Sequence, residues 1–348
     1  MSYTNGLDKP SDYFNTILWT GNGVDDRSIS GVGFQPDWVW YKERSSTSAH
    51  KLYDAVRTAT KELESNSNAA ESTNADALQA FETDGFQVGT HGSVNENGQT
   101  YVAWNWKAGT SVSGDTTGSG TLKTYTGSVN TTSGFSIIKY TGNGTAGHTI
   151  PHHLGVAPSA IFVKKLNELG DWSSYHSVLG NAGYMRLNNT NAFATASTYW
   201  NNTSPTSSVF TTGTTGNING SGSTYIAYCF AEKQGYSKFG SYTGNGNADG
   251  TFVYTGFKPA WVMVKRTDSA NDWCLYDNKR DTYNVVQDKL QPNQTSAESD
   301  DTSMDFVSNG FKFRETGGNF NASGGTYIYM AFAENPFVTS TGVPATAR

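Results

Sequence analysis

At 348 residues the chain is long enough for two or three domains, and its 38 Gly, 13% aromatic and 16% charged residues make it rich in turn formers and flat side chains. That mixture favours many short strands over long helices. A net charge of -6 without any Lys/Arg-rich run argues against nucleic-acid binding, which needs cations to neutralise phosphates.

Residues 1–12 are polar and aperiodic and read as a terminal arm. They have neither the basic end nor the apolar run of a signal peptide, and no later stretch approaches the length of a membrane span, so the expectation is a soluble protein made in a cytosol, with no membrane insertion. Thr20-Gly21-Asn22-Gly23 then opens a pattern that returns as Thr141-Gly142-Asn143-Gly144 and Thr243-Gly244-Asn245-Gly246. Asn-Gly is a turn signal because both residues tolerate positive φ.

Each turn is followed by a proline that leads an apolar run: Pro36 to Lys42, Pro158 to Lys164 and Pro259 to Lys265. Proline suits the first residue of a strand. The lysine ending each run reads as a solvated or snorkelling strand end rather than a catalytic amine. Leu52-Tyr53-Asp54 and Leu275-Tyr276-Asp277 match, with Ser174-Tyr175-His176 as a weaker copy, and Leu63, Leu187 and Leu290 follow at similar offsets. Residues 74–81 could form a short helix, but the adjoining Asp84-Gly85-Phe86 resembles Asn309-Gly310-Phe311, and a strand-turn-strand pattern is preferred.

Each copy closes on the same stretch. Gly222 to Glu232 recurs as Gly324 to Glu334 and, more loosely, as Gly98 to Ala108. On a strand, alternation places Val102, Trp104 and Trp106, then Ile226, Tyr228 and Phe230, then Ile328, Met330 and Phe332, on one face. With Trp38 and Phe162 of the proline-led strands they form the expected repeat core. Burying three such side chains contributes roughly 5 to 9 kcal/mol per copy before the entropy of ordering is subtracted.

The expected fold is therefore all-β: three tandem antiparallel β-sandwich modules, jelly-roll or Ig-like, at 13–109, 135–235 and 236–337. Residues 110–134, mostly Gly, Ser and Thr, read as a loose linker that lets the first module sit apart, and 338–348 as a tail. The second and third modules run together and are expected to pack.

Chemistry is sparse. Cys229 and Cys274, the two cysteines, rule out a disulfide framework and leave one bridge open. His148, His152 and His153 invite a metal, yet the corresponding loops elsewhere lack histidine and neighbours in an extended chain point apart, so a polar loop is preferred. Asp25-Asp26, Glu82 with Asp84, and Glu298 with Asp300 and Asp301 could serve a glycosidase or calcium, but read as solvated loop charges. No phosphate loop, nucleophile elbow or zincin helix is present. No cofactor and no enzymatic activity are expected. Trp38 and Trp261, and Trp172 and Trp273, recur in position and read as core or intermodule packing. Trp200, with Tyr199 beside it, has no counterpart and is the candidate for an exposed ligand or subunit contact.

The set running from Leu18-Trp19-Thr20-Gly21-Asn22-Gly23 through Gly33-Phe34-Gln35-Pro36-Asp37-Trp38 and Tyr225 to Glu232, ending Ala333-Glu334-Asn335-Pro336-Phe337, resembles repeat proteins encoded among virion genes of tailed phages, especially marine ones. The resemblance covers nearly the whole chain. It implies a non-enzymatic structural or adhesive part of a tail, fibre or surface decoration, assembled in the host cytoplasm, with other virion proteins and further copies of itself as partners. A host surface glycan is a possible target and a polysaccharide depolymerase a weaker alternative. The resemblance supplies no catalytic residues.

Overall fold

The computed structural model describes residues 7–300 and 304–346. It is all-β, and its sheets are antiparallel throughout. One strand order occurs three times. In the first third Phe14–Thr20 pairs with Thr100–Trp106, which pairs with Trp38–Glu43, which pairs with Lys51–Asp54. Phe135–Thr141, Thr224–Phe230, Ala160–Lys165 and Ser173–His176 repeat that order, as do Ser237–Thr243, Thr326–Pro336, Phe257–Arg266 and Trp273–Asp277. The registers match too: Thr20 faces Thr100, Thr141 faces Thr224 and Thr243 faces Thr326.

The central strand of each sheet is the stretch that ends each sequence repeat, and both of its faces are covered. Tyr101 and Ala103 lie in a hydrophobic cluster confined to the first repeat, Tyr225, Ala227 and Cys229 in one confined to the second, and Tyr327 and Tyr329 in one confined to the third. Across those clusters lie three-stranded sheets. Arg27–Ser30, Gly85–Val88 and Leu78–Glu82 form the first, and Phe252–Tyr254, Gly310–Phe313 and Met304–Val307 the third. In the second repeat His148–Pro151 is flanked instead by Thr117–Gly118 and Val209–Thr212.

The opposite faces meet one another. Val102, Trp104 and Trp106 share a single cluster with Ile226, Tyr228 and Phe230 and with Ile328, Met330 and Phe332, and Trp38 and Phe162 belong to it. At its centre the equivalent rings of Trp106, Phe230 and Phe332 form a triangle, with centroid separations of 6.4, 5.9 and 5.5 Å. Trp38 stacks on Tyr228 at 4.5 Å and Trp106 meets Trp261 edge-on at 5.8 Å. This core belongs to all three repeats.

Six equivalent backbone hydrogen bonds close the arrangement into a ring. Glu71 N–H donates to Leu166 O and Gly170 N–H to Asn68 O; Phe193 donates to Thr267 and Asn271 to Thr190; Glu298 donates to Arg44 and Ser48 to Thr295, all at 2.8–2.9 Å. The first repeat therefore does not sit apart, because its share of the central core has no other cover.

The Thr-Gly-Asn-Gly turn is held by a residue outside it. Asn95, Asn219 and Asn321 sit after a short turn and are fully buried. Each accepts, through Oδ1, the backbone N–H of the motif's asparagine at 3.0 Å. Six residues on, Tyr101, Tyr225 and Tyr327 donate to Gly92, Gly216 and Gly318 carbonyls and accept the N–H of Glu96, Gly220 and Ala322. A Cβ on Gly21 would stand 2.0 Å from Glu96 O, so close approach requires the first glycine, while positive φ (67° at Gly23) requires the second. The asparagine between them is not in the left-handed region.

Residues 110–134 are not a linker. Thr110–Asp115 pairs with Thr124–Asn130, which pairs with Phe135–Thr141, so a hairpin extends the second sheet beyond the four common strands. Alternating Thr and Ser suit an edge strand with water on one face, a composition shared with loops. Of the expected terminal arm, residues 1–6 lie outside the described residues; Leu7 is buried in the central core and Pro10–Asp12 form one 3-10 turn. Ser340 N–H of the tail donates to Asp8 Oδ1 at 2.8 Å.

Candidate functional site

The aromatic pair singled out from the sequence is internal. Trp200 is 1% exposed and Tyr199 5%, because the short helix Ser197–Trp200 turns both rings into the cluster of the second repeat. Trp200 packs edge-on against Tyr175 and Phe210, and Tyr199 stacks on Tyr184. A residue without counterpart can fill a local gap as readily as face solvent. Exposed aromatics lie elsewhere: Tyr283 is 78% exposed in a loop of the third repeat, and Phe252 and Tyr254, 47% and 58% exposed, project from one strand where the sister strands carry Ser28 and Ser30, or Thr149 and Pro151.

The strand-end lysines are likewise not solvated. Lys42, Lys164 and Lys265 are buried, and each donates to the carbonyl of the next residue. Lys164 reaches on to Asn68 O at 3.3 Å and Lys265 to Thr190 O at 3.1 Å, both in the preceding repeat, while Lys42 reaches Ser46 O. Burial pulls each ammonium down to about 8.

Charged side chains converge on two of the three seams. Asp54 Oδ2 accepts from Arg57 Nε at 2.5 Å and from Tyr228 Oη of the second repeat at 2.7 Å, and Arg57 continues to Glu71 at 3.1 Å. Asp277 Oδ2 accepts from Arg280 Nε at 2.6 Å and from Trp104 Nε1 of the first repeat at 2.9 Å, and Arg280 continues to Glu298 at 2.8 Å. Burial alone would raise the Asp277 carboxyl, but the Arg280 charge and hydrogen bonds outweigh it and hold it below its ordinary value. At the seam between the second and third repeats the same positions are His176, Leu179, Phe193 and Met330. There His176 Nε2 meets Tyr329 O at 3.2 Å, and burial pushes the ring down to about 4, which keeps it neutral.

The other sequence candidates do not assemble. His148 contacts Asn219 and Thr116, His152 the Thr206 carbonyl and His153 the Tyr125 hydroxyl. Among the described residues no three His, Cys, Asp or Glu side chains are grouped to hold a metal ion. Asp84 accepts the N–H groups of Gly31 and Gly33, Glu82 accepts from Ser28, and Glu298 is bound to Arg44 and Arg280; Asp301 lies outside the described residues. Cys229 and Cys274 are buried, and no disulfide joins them.

One cleft among several, of about 610 Å³, lies where loops of the first repeat face the 110–130 hairpin. Asp37 lies in it, 6% exposed. Its Oδ2 accepts the Ala108 N–H at 2.8 Å, and no hydrogen bond among the described residues reaches Oδ1. Burial lifts the carboxyl to about 6 against the pull of that N–H and of Lys107. The sister positions are Ser159 and Ala260, so this carboxylate belongs to one repeat only. The sequence signal was present, an Asp directly after a strand-leading proline in one copy of three, and it was missed.

No helix in the described residues is long and apolar enough to cross a membrane. No curated protein and no solved structure matches the chain. A family described as a domain of unknown function, DUF7483, matches residues 9–336, across all three repeats and both walls of the groove, and the chain belongs to that family.

Proposed function

We propose that the chain is a non-enzymatic structural and adhesive component of a tailed-phage virion, in a tail, fibre or surface decoration, built as three tandem β-sandwich modules, the second of them widened by the 110–130 hairpin. The observation that carries this reading is where the polar groups go. Buried acids and arginines at two seams, and buried lysines at two, are used to hold one repeat to the next. A rigid unit of repeated modules displays several surfaces at fixed spacing, and weak contacts so displayed reinforce one another through effective concentration. The virion placement follows the resemblance of the repeat motifs, and the partners are then other virion proteins, further copies of this chain and a host surface. A depolymerase is supported less well, since it needs two carboxylates facing across a cleft and Asp37 is the one acid lining the groove.

Immunogold electron microscopy of purified particles tests the placement. Label is expected on tail, fibre or surface, and mature particles that carry none of this protein would overturn it.

A further inference from the structure

The groove of Asp37 has the marks of a built site. Its volume of about 610 Å³ lies within the range of small-molecule sites. One wall is the hairpin of Thr110–Asp115 and Thr124–Asn130, an addition to the four strands common to all three repeats. The other carries the acid absent from both sister repeats. Most of the Asp37 side chain is buried, and the oxygen that takes no hydrogen bond from the described residues opens onto the groove, where a ligand hydroxyl can donate to it in place of water.

The lining defines the ligand. Around Asp37 stand Gln35, Ser111, Ser113, Thr126 and Ser128, which are hydroxyls and an amide, and no aromatic ring that would stack on a planar base. Ser128 Oγ accepts the Gly109 N–H at 2.8 Å, which leaves its hydroxyl proton to donate elsewhere. Such a surface takes hydrogen bonds from hydroxyls and gives them back, while its negative charge disfavours anions. We propose that this groove binds a neutral saccharide, with one sugar hydroxyl donating to Asp37 Oδ1. The proposal deepens the adhesive reading and rests on it, giving the host contact a place and a chemical class.

The sister repeats supply the variants for the test. Ser159 and Ala260 show that the fold accepts Ser and Ala here, so Asp37→Ser is expected to melt with the wild type. Saturation-transfer NMR of the full chain with methyl glycosides of glucose, galactose, mannose and N-acetylglucosamine is expected to show binding of at least one, weakened roughly tenfold or more by Asp37→Ser, as for loss of a hydrogen bond to a charged group. If Asp37→Ser melts early, Asp37→Asn, whose carbonyl can still accept from Ala108, decides instead. Binding of none of the glycosides, equal binding by the folded variant, or displacement of the sugar only from Phe252 and Tyr254 variants overturns the proposal; so does a groove that takes ethylenediamine and no glycoside. A chain found in particles that binds no glycoside loses the groove and keeps the structural reading. A chain that binds glycosides and is missing from particles does the reverse.

Discussion

Two kinds of seam hold the repeats together, and they solve one packing problem in opposite ways. Where the first repeat meets the second, and the third meets the first, an Asp–Arg–Glu chain is buried and capped by a donor from the neighbour, Tyr228 or Trp104. Where the second meets the third, all four positions change together to His176, Leu179, Phe193 and Met330, and Leu179 and Phe193 pack on the central cluster. The backbone bonds are the same at all three. The ionic set is thus not required for the contact. A buried ion pair roughly breaks even against apolar residues of similar shape, whereas half of one is expensive.

The comparison breaks most sharply when a single partner is removed. Asp277→Ala leaves Arg280 and the Trp104 indole facing an empty place, and chemical denaturation is expected to show a loss of about 3–5 kcal/mol; a loss under 1 kcal/mol would mean that water repairs the site. Next in size is a pH effect from the three buried strand-end lysines. Burial lowers their folded value to about 8, while the unfolded chain titrates near 10.5, so between those limits the unfolded state binds more protons and stability rises with pH. Denaturant midpoints are expected to climb from pH 8 until the tyrosines of the unfolded chain begin to ionise near 10. The buried Cys229 thiol, pushed up to about 12, works against part of that climb. Lys164→Met should make the climb shallower, and an unchanged slope would show that Lys164 keeps its proton throughout. The smallest effect is expected from the largest change. Transplanting the apolar set into the first seam, Asp54→His, Arg57→Leu, Glu71→Phe and Tyr228→Met together, should cost much less than Arg57→Leu alone, and a quadruple variant less stable than that single one would show the two solutions are not interchangeable.

Much of the fold was legible because it is written three times. Alternation gave both faces of the central strand, and the glycines and prolines marked its turns. The lysines were misread although the same rule applied: Lys42 follows Trp38 and Trp40 at intervals of two, as Lys164 follows Phe162 and Lys265 follows Trp261 and Met263, so each belongs to the face that enters the central core. Asn95, Asn219 and Asn321 also stood at one spacing before a recurring tyrosine. The hairpin at 110–130 could not be told from a linker, since Thr and Ser serve exposed edges and loops alike. The candidate site was the least legible part. Asp37 matters because it departs from its sister repeats, and a search for what recurs passes over what departs.

The ring has three seams but only two of them join consecutive repeats. Peptide bonds tether the first repeat to the second and the second to the third, which keeps those neighbours close even when their contacts loosen. The third repeat meets the first with the whole chain length between them. Nothing but side chains and hydrogen bonds guards that junction, and there Arg44 grips Glu298 through both carboxylate oxygens at 2.6–3.0 Å while Arg280 holds it from the other side. It is the clasp of the bracelet, the one junction at which a lost contact is not offset by a nearby peptide tether.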